Sequence, residues 1–191
     1  MSDSRPVSAG AKVIFSVISG AAILIIVLLL AVAVNAQFGP GGIASEIRIG
    51  DPAPDFELPL LEGGEAVRLS DYAGRPVAIN FWATYCPNCV LELPALMEGE
   101  RRFAEQDFAV IYLNAGQNRE HVRAWLVDHR LALPVVADPG KSTYKAWNIK
   151  GLPTTIWVDR AGLVHDVTLG GLITIETVEE QLRAMGELGE G

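Results

Sequence analysis

An apolar run at residues 77–82, interrupted only by Asn80, gives way, after Ala83-Thr84-Tyr85, to Cys86-Pro87-Asn88-Cys89, and from Cys86 onward apolar residues recur at helical spacing. Both cysteines of the 191-residue chain lie at this junction. A strand with no polar alternation is buried on both faces of its sheet, so helices or loops must cover each side. That requirement narrows the fold class to layered α/β.

Two cysteines separated by two residues cannot form the disulfide framework of a small secreted domain, because a loop this short restricts the unfolded chain little. Nor do they complete a structural zinc site, which needs four ligands. No second CxxC or HxxxH follows, and His121, His129 and His165 are scattered. No metal site is expected. The pair therefore reads as redox chemistry, with a merely stabilising disulfide as the bland alternative. The formal charge of −8 argues against nucleic acid as a partner. Leaving out Asp3, Arg5 and Lys12, the chain beyond residue 12 holds 13 basic and 22 acidic residues, a net of −9. The leader therefore masks no basic surface.

Residues 1–12 form a short polar leader, expected to be cytoplasmic, and residues 13–34 carry no charge. Those 22 residues would reach about 33 Å as a helix, enough for a hydrocarbon core of about 30 Å. A cleaved signal competes with this reading, since Val34-Asn35-Ala36 offers small residues, but the run exceeds an ordinary signal's apolar region. The basic residues ahead of the run place the remainder outside the cytoplasm in either case. Residues 35–48, with Phe38-Gly39-Pro40-Gly41-Gly42, read as a linker, residues 49–186 as the folded domain, and 187–191 as a tail.

Within the domain, residues 49–69 read as a hairpin turning at Glu62-Gly63-Gly64-Glu65. A helix is expected from 86 to about 106, kinked but not ended by Pro94. Strands follow at 108–114, 133–137, 154–159 and 163–169. Helices follow at 118–130, with Asn118 as N-cap, and at 141–148 and 174–185. The order implies a three-layer sandwich on a mixed sheet with one antiparallel edge.

At the first turn of a helix, Cys86 meets unsatisfied N–H groups and the positive end of the dipole, which favour its thiolate. Cys89, one turn on and deeper, would resolve the mixed disulfide that Cys86 forms. Its deprotonation calls for a base. Glu92 is in place for that on the next turn, although from the residues alone a glutamate there reads more readily as a solvated helix residue.

The chain from 49 to 185 resembles the TlpA/ResA-like membrane-anchored thioredoxins, including the cytochrome c maturation type. The resemblance rests on Gly50-Asp51-Pro52-Ala53-Pro54-Asp55-Phe56, Ile79-Asn80-Phe81-Trp82-Ala83, Cys86-Pro87-Asn88-Cys89 with Glu92-Leu93-Pro94, and Gly151-Leu152-Pro153-Thr154-Thr155. It implies a thioredoxin fold with an N-terminal β-hairpin and a central βα insertion. It also implies a thiol-disulfide oxidoreductase with no cofactor beyond the cysteine pair, and a cis Pro153 facing that pair. Leu152 would offer backbone hydrogen bonds to substrate. Trp82, Tyr85, Pro87, Leu152 and Pro153 would form the substrate side, and Glu92 would be the buried acid. The implied partners are protein disulfides, among them the haem-attachment cysteines of apocytochrome c, and a membrane electron donor of the CcdA/DsbD type. Asn80 stands where cytosolic thioredoxins carry an aspartate, which shifts the acid–base role towards Glu92. Tyr85 and Pro87-Asn88 depart from the usual residues, so no potential is carried over.

Two other classes fit these residues less well. A tethered peroxiredoxin would place its cysteine in Pro-x-x-x-Thr-x-x-Cys, and Cys86 has no such setting. A copper or haem chaperone would use CxxxC with a distant histidine.

Overall fold

The computed structural model describes residues 47–189. The expected leader and anchor, and the linker up to residue 46, lie outside the described residues. In chain order the elements are β1 (Glu57–Pro59), β2 (Ala66–Arg68), β3 (Val77–Trp82), α1 (Pro87–Arg102), β4 (Ala109–Asn114), α2 (Arg119–Asp128), β5 (Val135–Ala137), α3 (Ser142–Ala146), β6 (Thr154–Val158), β7 (Val164–Leu169) and α4 (Ile175–Ala184). The expected alternation of strands and helices from β3 to α4 is the one observed. β5 begins two residues later than expected, just after Pro134, which has no N–H to give to a ladder.

All six residues of β3 are buried, and its pleat divides them between two cores. Ala78 and Trp82 enter one core with Leu93 and Leu96 of α1, Val122 of α2, and Val178 and Leu182 of α4. Val77, Ile79 and Phe81 enter the other with Phe56, Leu58 and Trp147, which pack from the β1–β2 side and the end of α3. The sheet is thus covered on both faces. β1 and β2 pair antiparallel as a separate two-stranded sheet, from Glu57 opposite Arg68 to Pro59 opposite Ala66.

The main sheet runs β5-β4-β3-β6-β7. β3, β4 and β5 are parallel, while β6 is antiparallel to both β3 and β7. The expected antiparallel edge is therefore corrected: the reversed strand is β6, inside the sheet, and the edge strand β7 runs in the same direction as β3. A tight turn after β6 requires only that β6 and β7 pair. Which of them meets β3 depends on the α3 crossover over the opposite face. Burial agrees, since β6 is buried throughout and β7 only at Val164. Four helices on this mixed sheet make a thioredoxin-like α/β fold.

Side-chain caps set two helix starts. Asn118 Oδ1 accepts from His121 N–H at 3.0 Å, and Thr174 Oγ1 accepts from Thr177 N–H at 3.3 Å. α1 continues through Pro94 to Arg102. It meets α4 at Gly99, where an added Cβ would lie 2.8 Å from Val178 Cγ1. Val178 is β-branched and has little rotamer freedom to yield. Gly99→Ala is therefore expected to destabilise the domain by a net of about 1 kcal/mol, overpacking outweighing the helix-propensity gain. Urea denaturation would show this as a lower midpoint at unchanged slope.

Candidate active site

The chain leaves β3 through a turn in which Cys86 N–H donates to Ala83 O at 3.1 Å. Cys86 then caps α1 in extended geometry, φ −99° and ψ 104°, and its Sγ accepts from Cys89 N–H at 3.3 Å. Pro87 takes the first helical position, where a missing N–H is no loss. The sulfur of Cys86 thus sits at the amide end of α1, where a thiolate is favoured. Cys86 and Cys89 are joined in a disulfide with Cα atoms 5.3 Å apart. Cys86 keeps 8% exposure and Cys89 none. Tyr85, Pro87 and Asn88 are exposed around them.

β6 delivers the second part of the site. Because Phe81 pairs antiparallel with Thr154, the residues just before Thr154 reach the end of β3 from which Cys86 departs. There the Leu152–Pro153 bond is cis. Pro153 is buried, and its carbonyl accepts from Gly170 N–H at 2.9 Å. Thr154 Oγ1 donates to Gly151 O at 2.8 Å. Leu152 is half-buried and packs against the cluster that holds both cysteines. Residues 66 positions apart in sequence are thereby brought to one end of the sheet.

Glu92 is fully buried, so the solvated reading of this residue is ruled out. Burial pushes its carboxyl up to about 7, while the Asn80 amide and the Ile173 backbone N–H pull it down. Asn80, on β3, donates from Nδ2 to Glu92 Oε1 at 2.6 Å and to Thr155 Oγ1 at 2.9 Å. Among the described residues no hydrogen bond of ordinary geometry reaches Glu92 Oε2 or Asn80 Oδ1. A carboxyl poised near neutrality, one turn from Cys89, can take and return a proton.

Trp82 does not share the exposed surface with Tyr85 and Pro87. It is fully buried, its ring centroid 5.6 Å from that of Trp125, and it supports the junction from beneath. Thr155, which holds Asn80, was not singled out in the sequence. A usable signal did exist, since a lone amide between Ala78 and Trp82 on a buried strand must find a polar partner. Among the described residues no group of three or more His, Cys, Asp or Glu is placed to hold a metal ion.

The AhpC/TSA family model matches residues 49–167, which takes in the hairpin, the cysteine pair and the Leu152–Pro153 loop. The chain belongs to the AhpC/TSA family. Within this family it is 34% identical over 139 residues to the thiol-disulfide oxidoreductase ResA of Geobacillus kaustophilus, covering 73% of this chain and 79% of that one. It is 36% identical over 133 residues to the ResA of Halalkalibacterium halodurans, covering 70% and 74%. Its fold matches the crystal structure of a Chlorobium tepidum protein assigned as the thiol:disulfide interchange protein DsbE, with a TM-score of 0.66 at 30% identity. That match covers 74% of this chain and all of the other. This AhpC/TSA member is accordingly a thiol-disulfide oxidoreductase of ResA/DsbE type, and its redox group is the Cys86–Cys89 pair itself. Such an enzyme acts on protein thiols and disulfides.

Proposed function

We propose that this oxidoreductase works outside the cytoplasm as a membrane-tethered reductant of protein disulfides, with apocytochrome c among its substrates. The observation that carries the direction of proton flow is the buried Glu92, held by Asn80 one turn beyond Cys89. The Cys86 thiolate attacks one sulfur of the substrate disulfide, forming a mixed disulfide and releasing a substrate thiolate. Cys89 then gives its proton to the Glu92 carboxylate and attacks Cys86 Sγ. The second substrate thiolate leaves and takes up a proton, and the enzyme ends as the Cys86–Cys89 disulfide. Two electrons have passed to the substrate. A membrane dithiol donor of the CcdA/DsbD type restores the pair by the same exchange in reverse. Tyr85, Pro87, Leu152 and Pro153 form the side on which the substrate lies.

The tether in this reading is the uncharged run 13–34. Among the described residues, no helix is long and apolar enough to cross a membrane. Carbonate extraction of membranes from cells making the full chain tests the tether: the protein is expected in the pellet, and its release into the soluble fraction would remove that part of the proposal.

The chemistry is tested by Cys89→Ser. Without a resolving thiol, Cys86 should stay joined to its partners, giving adducts that survive non-reducing electrophoresis and vanish with dithiothreitol. An absence of adducts in a folded variant would count against Cys86 as the attacking residue.

A further inference from the structure

The loop that presents Cys86 is held from outside its own element. Gln117, in the connection between β4 and α2, grips Thr84 with both ends of its carboxamide. Its Oε1 accepts from Thr84 N–H at 2.7 Å, and its Nε2 donates to Thr84 Oγ1 at 2.7 Å. A backbone N–H cannot accept, so this pair settles which end of the amide faces which atom. Asn114, at the end of β4, fixes Gln117 in turn: Asn114 Nδ2 donates to Gln117 Oε1 at 2.9 Å, and Gln117 N–H donates to Asn114 Oδ1 at 3.2 Å. The Thr84 hydroxyl, already accepting from Gln117, has its hydrogen free for His121 Nε2 at 3.1 Å.

We propose that Gln117 is a positioning residue for the redox reaction, clamping Thr84 so that the Cys86 sulfur stays at the amide end of α1 when the disulfide is open. This rests on Cys86 being the attacking thiolate. In the oxidised protein the S–S bond itself ties Cys86 to Cys89, and the clamp is redundant. In the dithiol form the connection from Thr84 through Tyr85 must hold the sulfur in place. The clamp therefore stabilises the reduced form more than the oxidised one, and so raises the reduction potential. A residue outside both the CxxC and the Leu152–Pro153 loop would thus set redox poise.

The test uses the full-length chain carrying Gln117→Met, which keeps volume but loses all three side-chain hydrogen bonds, and Thr84→Val, which keeps the backbone N–H bond and loses only the hydroxyl. Cys86 alkylation rates across pH give its thiol pKa, and equilibration with dithiothreitol gives the potential. Gln117→Met is expected to raise the Cys86 pKa by about one unit and to make the protein about tenfold more reducing, equivalent to about 30 mV. Thr84→Val should move both in the same direction by less, and the double variant should add little to Gln117→Met. Melting should change more in the dithiol form than in the disulfide form. An unchanged Cys86 pKa and potential in Gln117→Met, or in Thr84→Val if the first does not fold, overturns the proposal. If Cys86→Ser retains exchange activity, the underlying reading of Cys86 fails instead, whatever the clamp does.

Discussion

Glu92→Gln is expected to remove a pH-dependent weakness of the fold and to slow the enzyme at the same time. Gln retains an oxygen to accept the Asn80 amide but carries no charge to bury. With the native carboxyl held up near 7, Glu92 is protonated in both the folded and the unfolded chain below its ordinary value of 4.5. Between 4.5 and 7 the unfolded chain loses this proton while the folded chain keeps it, so stability falls as pH rises. Above 7 both forms are ionised and the full cost of the buried charge is present. The native protein should lose about 2.5 kcal/mol between pH 5 and pH 8 through this group alone. Glu92→Gln should lose that much less over the same interval, whatever constant offset its amide adds. Urea titrations of the two proteins at both pH values measure the difference. Parallel pH dependences would show that Glu92 carries no raised pKa.

Activity should move the other way. If the carboxylate takes the Cys89 proton, resolution of the mixed disulfide should speed up as pH rises through 7 in the native enzyme. The variant should lose that rise and be slower by about 100-fold at pH 7.5. Stopped-flow measurement of mixed-disulfide decay separates this step from the initial attack. A more stable but slower variant is what a catalytic group held in an unfavourable environment predicts.

Cys86→Ser should cost more activity than any other single change, on the order of 1,000-fold or more in reduction of a protein disulfide, since an alcohol cannot replace the thiolate in exchange. The loss would not come from unfolding. Serine is a good N-cap and can still accept from Cys89 N–H, and a disulfide closing so short a loop contributes at most about 2 kcal/mol. Unchanged circular dichroism beside lost activity is the expected result. Cys89→Ser should differ in kind, with attack intact and the adduct accumulating.

Much of this architecture could be read along the chain, because the signals involved are local. The apolar stretch of β3 and the Asn118 cap each report on a few neighbouring residues, and each appears where expected. The position of β6 was less legible. A turn can specify that β6 pairs with β7 but not that β6 inserts beside β3, which follows from how α3 crosses the sheet. Trp82 shows the same gap at the scale of one side chain. Three residues from the exposed Tyr85, it points inward because the pleat sends it into the α1-side core beside Trp125.

The sequence alone determined that a CxxC pair begins a helix after a buried strand, with an uncharged run of 22 residues far upstream. Cysteine chemistry and strand burial depend on residue type and immediate spacing. Only the tertiary structure decided that Glu92 is a buried acid and not a solvated one, because its cover comes from Asn80 on β3 and the Ile173 backbone near α4. Only it brought Leu152–Pro153 to the Cys86 end of the sheet, and only it revealed Gln117 gripping Thr84. Desolvation and hydrogen bonding act through space, and the residues that impose them here lie between 12 and 81 positions from those they act on.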